Sequence, residues 1–179
     1  MLLVDVDGPL NPYAAKRSRR PRGYGTHRMV TPRWKAAEQA RLTAWGLPDG
    51  RIRPLRVWLD PGHGPALRAL PFDLAWATTW EDEANDFIAP VLGLPALPFV
   101  PWPSPRLDPG GGVFWKTPEI VAWVKGRAFA WVDDEITDAD RDWVAVHHDG
   151  PALLHRIDPR IGLTDDDFAT LAEWAAGVG

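Results

Sequence analysis

Four aspartates stand where the sequence predicts the ends of two buried strands. Asp5 and Asp7 follow the apolar run Leu2–Val4, and Asp133 and Asp134 close a later apolar run. Carboxylates that crowd together repel one another and become harder to ionise unless a cation neutralises them. A cluster that offers only oxygen ligands suits a hard cation such as Mg²⁺, which takes one or two carboxylates, waters and a substrate phosphate. We therefore expect Mg²⁺ at this cluster.

Two hydroxyl groups and one ammonium are predicted at the same edge. Thr78 and Thr79 end another apolar run, and Lys116 precedes a helix that leads into the strand ending at Asp133. Hydroxyl and ammonium groups beside a cation suit the oxygens of a phosphate, whose charge such a site must stabilise. Either threonine can fill this role, and the sequence leaves both open.

The elements that must position these residues alternate between strand and helix. Strand patterns occur at 2–6, 55–59, 72–78, 128–132 and 152–157. Helical patterns occur at 32–45, 64–70, 81–92, 117–126, 137–147 and 164–176. This alternation predicts an α/β fold whose mostly parallel sheet is covered by helices on both faces. Ligands of such sheets bind outside the carboxyl ends of the strands, where the candidate residues stand.

Length and composition exclude several classes of protein. A chain of 179 residues suits one domain, so we expect a single domain over 1–179. The absence of cysteine excludes disulfides, thiolate nucleophiles and Cys-ligated zinc. Prolines interrupt the longest uncharged stretch, at 87–105, so it does not predict a membrane span. The N-terminus carries acids and no basic run, so we expect no signal peptide and a soluble, cytoplasmic protein.

The motifs resemble those of the haloacid dehalogenase-like (HAD) superfamily, in the same order. MLLVDVDGPLNP, with Asp5 and Asp7, resembles its first motif. Thr78 ends a strand as the second motif does, Lys116 resembles the third, and VDDEITD at 132–138 resembles the fourth. The motifs span most of the chain. The resemblance implies a Rossmann-like domain.

Shorter segments are similar to small HAD domains associated with RNA-repair proteins. These segments are DVDGPLNP near the start, WATTWEDEAN at 76–85, and FWK together with WVDDE. About 70 residues separate the first two motifs and 37 the second and third, so there is room only for a minimal cap, made of a flap and a short insertion at about 12–70. We expect the flap to be a hairpin that pairs 26–30 with 55–59. An open site suits a large substrate, such as a nucleic-acid end or a phosphoprotein.

The resemblance also implies a Mg²⁺-dependent phosphohydrolase. Asp5 would attack a phosphoryl group and form an aspartyl-phosphate. Asp7 would protonate the leaving oxygen and then deprotonate the hydrolytic water. Mg²⁺ would be held by the Asp5 carboxylate, the backbone carbonyl of Asp7, and one of Asp133 and Asp134. The residues of the second and third motifs would hold the phosphate oxygens.

A basic segment at 13–28 follows the first motif. It contains Arg17, Arg19, Arg20 and Tyr24. Arginines can neutralise phosphates and tyrosine rings can stack on unpaired bases, so the segment is a candidate nucleic-acid surface. A merely solvated loop accounts for the same composition. The net charge of −4 excludes the whole protein surface as a polyanion-binding face.

Two other functions stay open at this level. One is a small-metabolite phosphatase in which the flap acts as a miniature cap. The other is a non-catalytic HAD domain that binds phosphate or a protein partner, which the intact Asp5 and Asp7 pair disfavours. A Pro/Gly-rich loop at 93–113 is unusually long for a domain of this size and predicts a functional or mobile segment.

Overall fold

A four-stranded parallel sheet forms the centre of the computed structural model, which describes residues 1–178. The strands are β1 (Leu2–Val4), β2 (Gly25–Met29), β3 (Leu55–Leu59), β4 (Leu74–Trp76), β5 (Phe129–Asp133) and β6 (Ala152–Arg156). The α-helices are α1 (Pro32–Ala44), α2 (His63–Ala69), α3 (Glu83–Phe87), α4 (Ala89–Leu92), α5 (Lys116–Val124), α6 (Asp138–His147) and α7 (Asp165–Val178). Within residues 1–178, none of these helices has the length and apolar character that crossing a membrane requires.

The parallel sheet has the order β4-β1-β5-β6 and is covered on both faces. Along β1, Leu2 and Val4 pack into one core and Leu3 into another, because successive side chains of a strand point to opposite faces. The first core contains residues from α2, α3, α4 and α7, and the second contains residues from α5 and α6. The predicted α/β fold with a helix-covered parallel sheet is therefore confirmed.

The strands β2 and β3 form a separate antiparallel hairpin. Gly25 lies opposite Leu59, and Met29 lies opposite Leu55, so the expected pairing is confirmed with β2 one residue earlier than predicted. Met29 and Val57 are buried in the core that also holds β1. The hairpin is therefore packed against the body of the molecule through its own apolar side chains.

The predicted single helix at 81–92 is wrong, because two short helices, α3 and α4, occupy it. Pro90 stands in the first turn of α4. Proline has no N–H to donate to the preceding turn, and its ring collides with the carbonyl four residues earlier, so proline kinks or breaks a helix that continues through it. The break was readable from the sequence.

The loop at 93–113 begins as an extension of the sheet. The Trp76 N–H donates to the Pro98 carbonyl at 2.9 Å, and the Val100 N–H donates to the Trp76 carbonyl at 2.9 Å. Phe99 thereby forms an isolated parallel bridge with Trp76 on the outer edge of β4. The first part of the loop satisfies backbone groups that an edge strand would otherwise leave unpaired.

Candidate active site

Three strand ends bring the candidate residues together at one edge of the sheet. Asp5 directly follows β1, Asp133 is the last residue of β5, and Thr78 lies just beyond β4. All three strands are parallel neighbours, so their carboxyl ends point the same way. Lys116, the first residue of α5, reaches this edge from the helix that precedes β5.

Lys116 is buried between two carboxylates. Its Nζ lies 3.1 Å from Oδ2 of Asp5 and 2.8 Å from Oδ2 of Asp133. Burial alone would lower the pKa of Lys116, but the charges of Asp5 and Asp133 outweigh it and raise that pKa. Burial raises the pKa of Asp5 well above its usual range, although Lys116 opposes the shift. The ammonium is therefore charged at neutral pH and holds the two carboxylates in one place.

Asp140 fixes the start of α5, and sequence reasoning missed it. Its Oδ1 accepts bonds from the Phe114 N–H at 2.7 Å and the Thr117 hydroxyl at 2.6 Å. Its Oδ2 accepts from the backbone N–H and the hydroxyl of Thr137, each at 2.8 Å. Lys116 lies between Phe114 and Thr117, so Asp140 sets its position. The spacing of Thr137 and Asp140, which matches a capping box, was the available signal.

Asp5, Asp133 and Asp134 form a buried carboxylate cluster. Each offers one oxygen, and the three oxygens lie within 4.8 Å of one another. The Tyr13 hydroxyl donates to Oδ2 of Asp134 at 2.9 Å. Burial raises the pKa of Asp134 to about 6, and the bond from Tyr13 opposes this shift. Three carboxylate oxygens at this spacing fit a hard divalent cation, so the residues present suit Mg²⁺.

Glycine at position 8 allows the first motif, which contains Asp5 and Asp7, to lie close to Asp134 of the fourth motif. Its φ of 94° lies in the region that side-chain-bearing residues rarely adopt. A Cβ built at Gly8 would overlap Oδ1 of Asp134. Both the backbone conformation and the space beside Asp134 therefore require glycine here.

The Asp7 side chain lies apart from this cluster. Its Oδ1 accepts a bond from Nδ2 of Asn11 at 2.7 Å, and its Oδ2 accepts from Nε1 of Trp80 at 3.0 Å. Among residues 1–178, the carboxylate cluster does not include Asp7. The Asp7 carboxylate is therefore set apart from the other candidate metal ligands, and only its backbone carbonyl stays one.

The two threonines take different positions. Thr78 is buried, and a hydrogen bond from its hydroxyl favours the ionised form of Asp5. Thr79 lines the cleft above the cluster. The loop at 93–113 packs over Thr78, because Nε1 of Trp102 donates to the Thr78 carbonyl at 2.7 Å. Thr78 therefore lies against Asp5 whereas Thr79 faces the cleft, so both stay candidates for the phosphate-binding role, and part of the long loop packs against this edge of the sheet.

An open cleft of about 680 Å³ contains Asp5 and Asp7. Its walls also carry three arginines and three tryptophans: Arg33, Arg56, Arg106, Trp34, Trp80 and Trp115. Arg33 is neutralised by Glu81, at 2.8 Å, and by Asp82. Within residues 1–178, no carboxylate lies within 4.0 Å of Arg56 or Arg106.

Arg56 and Arg106 are held by aromatic rings instead of carboxylates. The Arg56 guanidinium lies 4.2 Å from the centre of the Trp58 ring, and that of Arg106 lies 4.3 Å from the Trp115 ring. Cation–π contacts of this kind order the side chain without cancelling its charge. Sequence reasoning missed both arginines, because neither lies near a motif.

The arginines of the basic segment do not line this cleft, although Tyr13 at its start does. Arg19 borders a separate groove with Lys16, and Arg20 donates to the Thr26 hydroxyl at 2.8 Å. Arg17 belongs to a one-turn 3₁₀ helix and is likewise absent from the cleft. The predicted base-stacking role of Tyr24 is wrong, because its side chain is only 5% exposed.

Comparisons of the chain with known protein families, with curated proteins and with solved structures find no match. The resemblance of the motifs to the HAD superfamily therefore stays a prediction. Three buried carboxylates and one shared ammonium lie beside an open cleft.

Proposed function

We propose that this protein is a Mg²⁺-dependent phosphohydrolase that forms an aspartyl-phosphate, as its HAD-like motifs imply. The observation that supports this most is the ammonium of Lys116 shared by Asp5 and Asp133, with Asp134 alongside. The cluster holds three carboxyl groups and a single ammonium, so it has too few positive charges to balance the carboxylates once they ionise. A site that must accept a phosphate dianion needs further positive charge, which a divalent cation supplies.

The residues that would hold Mg²⁺ are Asp5, Asp133 and Asp134, with the backbone carbonyl of Asp7 as the resemblance implies. When bound, the cation would neutralise charge on the phosphoryl oxygens, so that an anionic nucleophile can approach. Lys116 keeps the Asp5 carboxylate oriented and adds a second positive charge at the same point. The Thr78 hydroxyl favours the ionised, nucleophilic form of Asp5.

In the first step, a carboxylate oxygen of Asp5 attacks phosphorus and forms a P–O bond. The ester P–O bond breaks, and its electron pair goes to the leaving oxygen. The Asp7 carboxyl gives its proton to that oxygen, so the alcohol leaves neutral and Asp7 becomes a carboxylate. Asp5 and Asp7 both line the cleft, as two groups acting on one substrate must.

In the second step, the Asp7 carboxylate takes a proton from water as the water oxygen attacks phosphorus. The P–O bond to Asp5 breaks, and its electron pair returns to the Asp5 carboxylate. Inorganic phosphate is released, and Asp7 again carries the proton it needs. Both residues thus end the cycle as they began it.

The cleft favours a bulky phosphorylated substrate, such as a nucleic-acid end, over a small metabolite. Among residues 1–178, the segment between the first two motifs forms only a one-turn 3₁₀ helix, the β2–β3 hairpin, the helices α1 and α2, and the strand β4 of the sheet. Arg56 and Arg106 offer uncancelled charge for further phosphates, and tryptophan rings offer stacking surfaces for bases.

A phosphatase screen with and without Mg²⁺ tests the proposal. Mononucleotides, sugar phosphates, and RNA or DNA bearing 5′- or 3′-phosphates should be compared. Asp5→Asn should abolish Mg²⁺-dependent phosphate release from every substrate, whereas Asp138→Asn should retain it, since Asp138 is exposed and pairs with Arg141. Turnover by a folded Asp5→Asn protein, or no turnover by the wild type, would contradict the aspartyl-phosphate mechanism.

A further inference from the structure

We infer that Trp80 and Asn11 are positioning residues that hold the Asp7 carboxyl group for proton transfer, an inference that rests on the proposed function. Each oxygen of Asp7 has one N–H donor. Oδ1 accepts from Asn11 at 2.7 Å and Oδ2 accepts from Trp80 at 3.0 Å. Two donors on two oxygens fix both the rotation and the tilt of a carboxyl group. The Asp7 carboxyl group therefore keeps one fixed orientation toward the cleft.

The two donors are themselves held in place. Trp80 is buried in the core that also contains Val4. Asn11 is buried as well, and its Oδ1 accepts the Trp58 N–H at 3.0 Å, which ties it to β3 of the hairpin. The donors therefore come from two separate parts of the fold, and neither can follow Asp7 if it rotates. Rigid partners of this kind preserve a productive geometry.

The donors also favour the product of the first proton transfer. When Asp7 gives its proton to the leaving oxygen, a carboxylate remains. Hydrogen bonds to an ionised acceptor are about twice as strong as those between neutral groups. The bonds from Trp80 and Asn11 therefore strengthen as the ester P–O bond breaks. Losing either hydrogen bond should lower the rate of proton donation more than it weakens substrate binding.

The leaving group separates this role from simple packing. An aryl phosphate such as p-nitrophenyl phosphate expels a stable phenolate and needs no proton. An alkyl phosphate such as β-glycerophosphate expels a poor leaving group and depends on the general acid, whose contribution is typically 10²–10⁴-fold. Because kcat/KM reports the steps up to the first P–O cleavage, comparing it for the two esters isolates proton donation.

The experiment measures kcat/KM of Trp80→Phe and Asn11→Ser on both esters at saturating Mg²⁺. Each variant should lose roughly tenfold or more on β-glycerophosphate and less than about twofold on p-nitrophenyl phosphate. Asp7→Asn serves as the reference for complete loss of the acid. Trp76→Phe is the matched control, because it removes an indole N–H that bonds Asn85 in the core, and it should leave the ratio of the two values unchanged.

Equal losses on the two esters, or no loss on either, would overturn the positioning role. If Trp80→Phe does not fold, as circular dichroism would reveal, Asn11→Ser decides the question through the same ratio. A wild-type protein that hydrolyses neither these esters nor the phosphorylated oligonucleotides of the screen would refute the proposed function itself, and the positioning role with it. That failure is visible in the wild type alone and is therefore distinguishable from failure of the inference.

Discussion

The ammonium of Lys116 lies 2.8 Å from the carboxylate of Asp133, and both groups are almost fully buried. Each of these charges loses its hydration on burial. The attraction between the two offsets that cost, so neither charge is stable there without the other. The pair joins the first turn of α5 to the last residue of β5. It is therefore both a structural link and the support of the neighbouring Asp5 carboxylate.

Replacing Lys116 with methionine should destabilise the protein by about 3–5 kcal/mol, because two buried carboxylates lose their shared partner. The cost should shrink at acidic pH, where the unpaired carboxylates take up protons. Urea unfolding at pH 7 and pH 5 measures both effects. Lys35→Met, at an exposed position on α1, is the control and should change the free energy of unfolding by less than about 0.5 kcal/mol. A Lys116→Met protein of wild-type stability would be inconsistent with the buried pair.

Asp134 should make the metal-free protein less stable as pH rises. Its pKa is raised from 3.8 to about 6 by burial, so between these values the folded state holds a proton that the unfolded state has lost. The stability that this proton contributes is fully present below about pH 4 and is lost as pH rises through 6. Asp134→Asn should therefore gain about 1–2 kcal/mol relative to wild type between pH 4 and pH 7. Unfolding without Mg²⁺ measures this difference, and a pH-independent difference would rule the effect out.

Gly8→Ala should weaken Mg²⁺ binding, because the added Cβ would displace the Asp134 carboxylate. In the wild type, millimolar Mg²⁺ should raise the thermal midpoint, since a ligand that binds only the folded state stabilises it. The alanine variant should show a smaller rise. Gly110→Ala is the matched control, because Gly110 also has a positive φ but no atom lies near its added Cβ. Equal Mg²⁺-induced shifts in the two variants would argue against crowding at Asp134.

Arg56→Gln and Arg106→Gln should weaken the binding of phosphorylated oligonucleotides more than the binding of an aryl phosphate. Each lost phosphate contact should make the log–log salt dependence shallower by about 0.7 for a single strand. KM values across a salt series measure this slope. The combined glutamine variant of Arg17, Arg19 and Arg20 is the control, because these residues lie outside the cleft. A larger effect in that control would indicate that the basic segment, and not the cleft, is the nucleic-acid surface.

Several features of the site depend on contacts that no local pattern encodes. The bond from Trp80 to Asp7 joins residues 73 positions apart, and that from Tyr13 to Asp134 joins residues 121 positions apart. Tyr24, read as part of an exposed basic loop, is instead buried in a cluster with Ala15 and with Trp58 of β3. The local sequence shows which residue types are present. Which of them become partners depends on how the loops cross at the edge of the sheet.

The sequence by itself determined the α/β alternation and the residues that stand at the strand ends. Apolar runs of strand length between helical segments predict a parallel sheet, and parallel strands carry their terminal residues to one edge. Asp5, Thr78 and Asp133 could be grouped on that basis alone. Only the tertiary structure decided that Asp5 and Asp133 share one ammonium and that the Asp7 carboxylate turns away from them. The reason is physical. Side-chain partners are set by packing between segments that are distant in the chain. The direction of the strands follows from the order of strands and helices along the chain.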